Sequence, residues 1–110
     1  MTTPVFAKTV LAANTMTKIA AVPTNIVFAT VTLNIMNPGE NVANAQIAIG
    51  NGDTPTAADY IDKGSIIPQR GGLLIRSCVL VPPGSNVFIR VDQDDVVANF
   101  SGLCQDLITP

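Results

Sequence analysis

The sequence predicts an all-β fold, an antiparallel β-sandwich of jelly-roll or Ig-like type with about seven to eight strands. Three observations predict it. Between residues 45 and 102, short apolar-alternating runs are separated by Gly50-Asn51-Gly52-Asp53, Gly71-Gly72, Pro82-Pro83-Gly84-Ser85 and Asp92-Gln93-Asp94-Asp95. Each of these clusters tolerates positive φ or presets a turn. Residues 25–36 alternate without interruption, and only residues 54–60 carry a helix signal.

Taken in order, residues 5–10 and 16–21 flank the polar pair Asn14-Thr15 and read as an opening hairpin, closed by Pro23. Residues 25–36 read as a long, half-buried central strand. Val27, Ala29, Val31, Leu33 and Ile35 lie on one face, with Phe28, Thr30, Thr32 and Asn34 on the other. Asn37-Pro38-Gly39 ends it, because proline has no N–H for the ladder and glycine accepts a turn conformation. Ala45, Ile47 and Ile49 alternate up to the glycine-rich turn. Thr54 as N-cap with Pro55 behind it predicts a single helical turn. Residues 62–67 form an extended edge stopped by Pro68. In residues 73–81 the face Leu73, Ile75, Ser77, Val79, Val81 opposes Leu74, Arg76, Cys78, Leu80. Val87, Ile89 and Val91 form the next strand, and residues 96–100 the last. The expected core is Val31, Leu33, Ile47, Ile75, Val79, Ile89 and Val91.

A chain of 110 residues has room for one domain, residues 1–110. Residues 1–3 and 103–110 fall outside the expected strands, as extended arms or frayed ends. Hydrophobic residues make up 47% of the chain and charged residues 13%, more apolar surface than a small domain easily hides. Contact with other chains, in a homo-oligomer or a larger particle, is therefore expected. The net charge is −2, and Lys8, Lys18, Lys63, Arg70, Arg76 and Arg90 are scattered along the sequence, which argues against nucleic acid as a partner. Residues 19–39 are uncharged and long enough for a membrane span, but their period of two and their Pro, Thr and Asn content read as strand, so no membrane partner is expected. Met1-Thr2-Thr3-Pro4 does not open a secretory signal. Without one, Cys78 and Cys104 read as reduced and structural, although the sequence alone leaves a bridge between them open.

No set of residues converges on catalysis. The chain has no histidine, the usual general base near neutral pH and the commonest metal ligand. Asp92, Asp94 and Asp95, helped by Asn99, offer oxygens to calcium, but the run lacks the glycine and distal glutamate of an EF-hand loop and reads as a solvated turn. Gly50-Asn51-Gly52 has no following Lys-Ser/Thr and reads as a tight turn, not a phosphate loop. Asp59 and Asp62 read as a solvated surface turn and not as a glycosidase pair. Lys63 and Ser65 lack the Ser-x-x-Lys order of a serine nucleophile with a lysine base. Asn99-Phe100-Ser101 matches a glycosylation acceptor by chance. Catalytic, cofactor-binding and metal residues are all read as none.

The segment QIAIGNGDTPTAADYIDKGSIIPQRGGLLIRSCVLVPPGSNVFIRVDQDDVVANFSG, residues 46–102, and VLAANTMTKIAAVPTNIVFATVTLNIMNPG, residues 10–39, together resemble small virion structural proteins of tailed bacteriophages. The resemblance implies an antiparallel β-sandwich without catalytic residues or cofactor. It implies a capsid decoration or cement protein that stabilises the particle through subunit contacts, or else a tail, neck or fibre component. Its partners are then the major capsid protein or tail proteins, and its location the virion, assembled in the host bacterial cytoplasm. The competing class is a carbohydrate- or receptor-binding module, for which one Tyr, four Phe and no Trp supply few stacking platforms. An enzyme comes third.

Overall fold

A computed structural model of the protein describes residues 2–22 and 26–106, which build eight strands. They are β1 (Thr2–Leu11), β2 (Thr17–Ala21), β3 (Ile26–Asn37), β4 (Ala43–Gly50), β5 (Tyr60–Ile67), β6 (Gly72–Val81), β7 (Asn86–Val91) and β8 (Val96–Asp106). The first sheet has the order β1-β8-β3-β6 and the second β2-β7-β4-β5. β1 pairs with β8, β2 with β7, β3 with β6 and β4 with β5, all antiparallel, as in one long hairpin rolled upon itself. The roll is closed by β3 against β8 and β4 against β7. This order is the eight-stranded jelly roll.

The core lies between the sheets, where the inward phases of β3 (Val31, Leu33, Ile35), β4 (Ala43, Ala45, Ile47), β7 (Val87, Ile89, Val91) and β8 (Val96, Ala98, Phe100) meet. Each buried Val, Leu, Ile or Phe side chain here contributes about 1.5–3 kcal/mol, and the alanines less. Of the expected core, Val31, Leu33, Ile47, Ile89 and Val91 are buried, and Val79 packs against them half-buried. Ile75 is the exception: it faces outward at 47% exposure, and Leu74 takes the inward place. A bulge is the cause. Leu33 opposes Arg76 and Val31 opposes Val79, so Thr32 faces both Ser77 and Cys78 and the phase of β6 reverses there.

Three other expectations are corrected. The runs over residues 5–10 and 16–21 are strands, but they sit in different sheets and do not pair with each other. Between them Ala13 bridges Val91 in parallel, and the Asn14 N–H, at φ 58°, donates to the Val91 carbonyl at 2.7 Å, which carries the chain across the sandwich. The helical turn is a 3-10 turn over Ala57–Asp59, capped by Thr56 instead of Thr54: the Asp59 carboxylate accepts from the Thr56 N–H at 2.8 Å. Finally, β8 does not end at Phe100. Gly102 pairs with Val5 on one side and Val31 on the other, so the backbone of residues 103–106 is a ladder strand, as is that of residues 2–3. The remaining arm positions, 1 and 107–110, lie outside the described residues, as do Pro23 and Asn25.

Candidate functional site

β5 and β6 are edge strands of different sheets on the same side of the sandwich. On β5, Ala45 opposes Ser65 while Gln46 opposes Lys63, so Gly64 is an extra residue, at a φ of 103° that suits glycine. Residues three apart in a regular strand face opposite sides. The bulge instead turns Asp62 and Ser65 both inward, beside Ile47 and Ala45. From the facing edge, Arg76 is inward on β6 opposite Leu33. Its Nε donates to Asp62 Oδ2, and its Nη2 donates to Asp62 Oδ1 at 2.8 Å and to Ser65 Oγ at 3.2 Å. Ser65 Oγ donates to Asp62 Oδ1. Burial pushes the Asp62 carboxyl up, but the hydrogen bonds from Arg76 and Ser65 and the Arg76 charge outweigh it and hold the group below the usual carboxylate range. The Arg76 guanidinium is raised by its hydrogen bond to Asp62. The cluster is a clasp between the sheets.

That arrangement separates the pairs considered from sequence. Asp59 caps its own turn while Asp62 joins Arg76. Ser65 bonds to Asp62, whereas Lys63 faces outward with its ammonium 5.0 Å from the Tyr60 ring centroid. The residue missed is Arg76, and the signal that could have found the cluster is Gly64 between Asp62 and Ser65. Asn37 was missed as well. It is fully buried, donating through Nδ2 to the carbonyls of Asn41 (2.7 Å) and Ile67 (3.3 Å) and accepting from the Gly39 N–H (3.1 Å).

The aspartate turn is tied down by backbone amides. Asp92 accepts from the Asn44 N–H (2.7 Å) and from Asn44 Nδ2 (2.9 Å), and these two bonds hold its carboxyl low. Asp94 Oδ1 accepts from the Ala13 N–H at 2.8 Å, and the Asp95 N–H donates to the Leu11 carbonyl. Among the described residues, no three His, Cys, Asp or Glu side chains gather as ligands, and no helix is long and apolar enough to cross a membrane. The backbones of Cys78 and Cys104 lie on strands on either side of β3, so two interstrand spacings of about 4.8 Å separate those strands. A disulfide between them needs a Cα separation under about 7 Å, which this placement does not provide.

The two outer faces differ in chemistry. On the first sheet, Val10, Val97, Met36 and Leu73 form a continuous cross-strand row, flanked by Ile75 and further along by Leu80. Val10, Leu73 and Leu80 are 64%, 52% and 62% exposed. Lys8 is the single charge among the described side chains of that face. On the second sheet, Arg90, Gln46 and Lys63 form one row, and Lys18, Phe88, Ala48 and Tyr60 the next. Three cations scattered in sequence thus gather on one face. No protein-family model and no curated protein matches the chain.

Proposed function

We propose that the protein is a non-enzymatic structural component of a bacteriophage virion, a capsid decoration or cement protein that binds the particle through the outer face of its first sheet. The observation that carries this reading is that face: an apolar row crossing all four strands, with large aliphatic side chains more than half exposed and one described charge. The next outward row, Lys8, Asn99, Asn34 and Ile75, is mostly polar, so the face is an exposed apolar row bordered by polar side chains, the pattern of a contact surface with a polar rim. The charges that would discourage contact are used elsewhere, with Arg76 and Asp62 turned inward. Jelly rolls serve viral capsid and lectin domains, which agrees with the reading as a fold-level analogy. The major capsid protein, or a further copy of the chain, is the partner on this account, and the tail, neck or fibre is the alternative location.

The test combines sedimentation of the isolated protein with quantitative binding to purified capsids that lack it. The reading expects self-association or saturable capsid binding in hundreds of copies, lost when Leu73 and Leu80 are both replaced by Asp. A monodisperse monomer with no affinity for capsids or tails would overturn it.

A further inference from the structure

The outer face of the second sheet, on the opposite side of the sandwich, contains an open cleft of about 280 Å³. Asn14, Asn44, Gln46, Gly64, Arg90 and Asp92 line it. The Gly64 bulge contributes backbone without a side chain, and Asn14, at positive φ, comes from the crossing between β1 and β2. The polar groups are three primary amides, one guanidinium and one carboxylate. An amide presents a donor and an acceptor side by side, which is what a pair of vicinal hydroxyls requires.

Arg90 sets the charge of the ligand. Of the three arginines, Arg70 is paired with Glu40 and Arg76 with Asp62, whereas among the described residues no carboxylate pairs with Arg90. An unpaired guanidinium presents a planar fork that fits a carboxylate in a bidentate manner. Lys63 lies in the same row beyond Gln46 but holds its ammonium against the Tyr60 ring, outside the lining, so Arg90 is the one cation of the cleft. Asp92 is fixed by Asn44 on both oxygens, and its remaining lone pairs accept hydroxyls while its charge opposes a multiply charged anion such as phosphate. The lining contains no aromatic ring, so recognition rests on hydrogen bonds and one ion pair. The volume is below the range of a drug-sized site and suits one or two sugar residues.

From these observations we infer that the cleft binds a carboxylate-bearing sugar unit, a hexuronic acid residue within an acidic polysaccharide, with Arg90 on the carboxylate and Gln46, Asn14 and Asp92 on the hydroxyls. This does not rest on the virion reading. A single site of this polarity binds at about millimolar strength, and a multimeric array raises the avidity by orders of magnitude.

The experiment titrates the isotope-labelled full chain with a trigalacturonate, a neutral glucose trimer and inorganic phosphate, following amide shifts by NMR. The expected result is saturable movement of the Asn44, Gln46, Gly64 and Arg90 amides with trigalacturonate alone. Arg90→Gln and Gln46→Ala, both at partly or fully exposed positions, should each weaken binding roughly tenfold or more with melting temperature unchanged, while Lys8→Gln on the opposite face leaves it intact. The inference is overturned by absence of saturable binding up to roughly 10 mM, by equal response to phosphate or the neutral trimer, or by unaltered binding in Arg90→Gln. Capsid association is a separate measurement, so failure here leaves the first-sheet reading standing and the reverse holds as well.

Discussion

Arg76 and Asp62 meet across the gap between the two sheets, each turned inward by a bulge in its own edge strand. The side chains are 38% and 10% exposed, which places the pair between a surface bridge and a buried one. Its geometry is bidentate, and Ser65 satisfies a further bond to each partner, so little polar capacity is left unmet. An inward charge also keeps an edge strand from pairing with another chain in the wrong register.

Removing Asp62 strands a half-buried guanidinium over the core. Asp62→Ala should cost about 1–3 kcal/mol, more than a surface pair and less than a fully buried one. A double-mutant cycle with Arg76→Met, read by urea unfolding, should give a favourable coupling energy. A coupling of zero would remove the clasp from the account of the fold.

Acid should act through the same carboxyl. Asp62 and Asp92 are both held below their ordinary range, Asp62 by Arg76 and Ser65 against the effect of burial, Asp92 by Asn44. A depressed folded value means that the stabilisation is fully present above the unfolded value of about 3.9 and is lost as pH falls through the lower folded value. Unfolding free energy should therefore be level near neutrality and fall below about pH 4. Asp62→Asn should flatten part of that fall when melting curves are compared across the range.

Gly64 makes the clasp possible. A Cβ there would meet nothing within 4 Å, so the cost of Gly64→Ala is conformational alone, from a φ of 103°, and should be about 1–3 kcal/mol. Deleting Gly64 restores regular alternation and turns Asp62 or Ser65 outward. Loss of the coupling between Asp62 and Arg76 in the deletion variant is the expected readout.

Strand identity was legible wherever alternation ran unbroken. Residues 27–35 and 87–91 show their phase directly because each odd position is apolar. Ile75 was placed wrongly because period-two counting carries no mark of an inserted residue, and Ser77 and Cys78 look like ordinary strand positions. Sheet assignment was hidden for a related reason: two short runs around Asn14-Thr15 resemble a hairpin, and what sends them to different sheets is pairing with the distant strands β7 and β8 near the other end of the chain. The cleft was illegible for the same reason, since Asn14, Gln46 and Arg90 meet only through the second sheet's register.

Asn37 joins three backbone groups where β3 ends, and two of its partners lie in the following turn. Asn37→Leu matches its size but leaves the Ile67 carbonyl without this donor and frees the turn. The substitution should cost about 2–3 kcal/mol in chemical denaturation, where an exposed asparagine would give almost nothing.

Leu33 and Ile75 separate the requirements of folding from those of assembly. Leu33 is 0% exposed at the centre of the sandwich, so Leu33→Ala should cost about 2–5 kcal/mol and depend on how far the core closes around the space. Ile75 belongs to the outward row of β6, so Ile75→Ala should change unfolding free energy by only about 0.5 kcal/mol. On the proposed contact face, however, Ile75→Asp should sharply weaken self-association or capsid binding in sedimentation while the isolated domain stays folded. A large stability loss from Ile75→Ala would mean that the bulge at Ser77 and Cys78 is absent in solution and that β6 keeps one phase throughout.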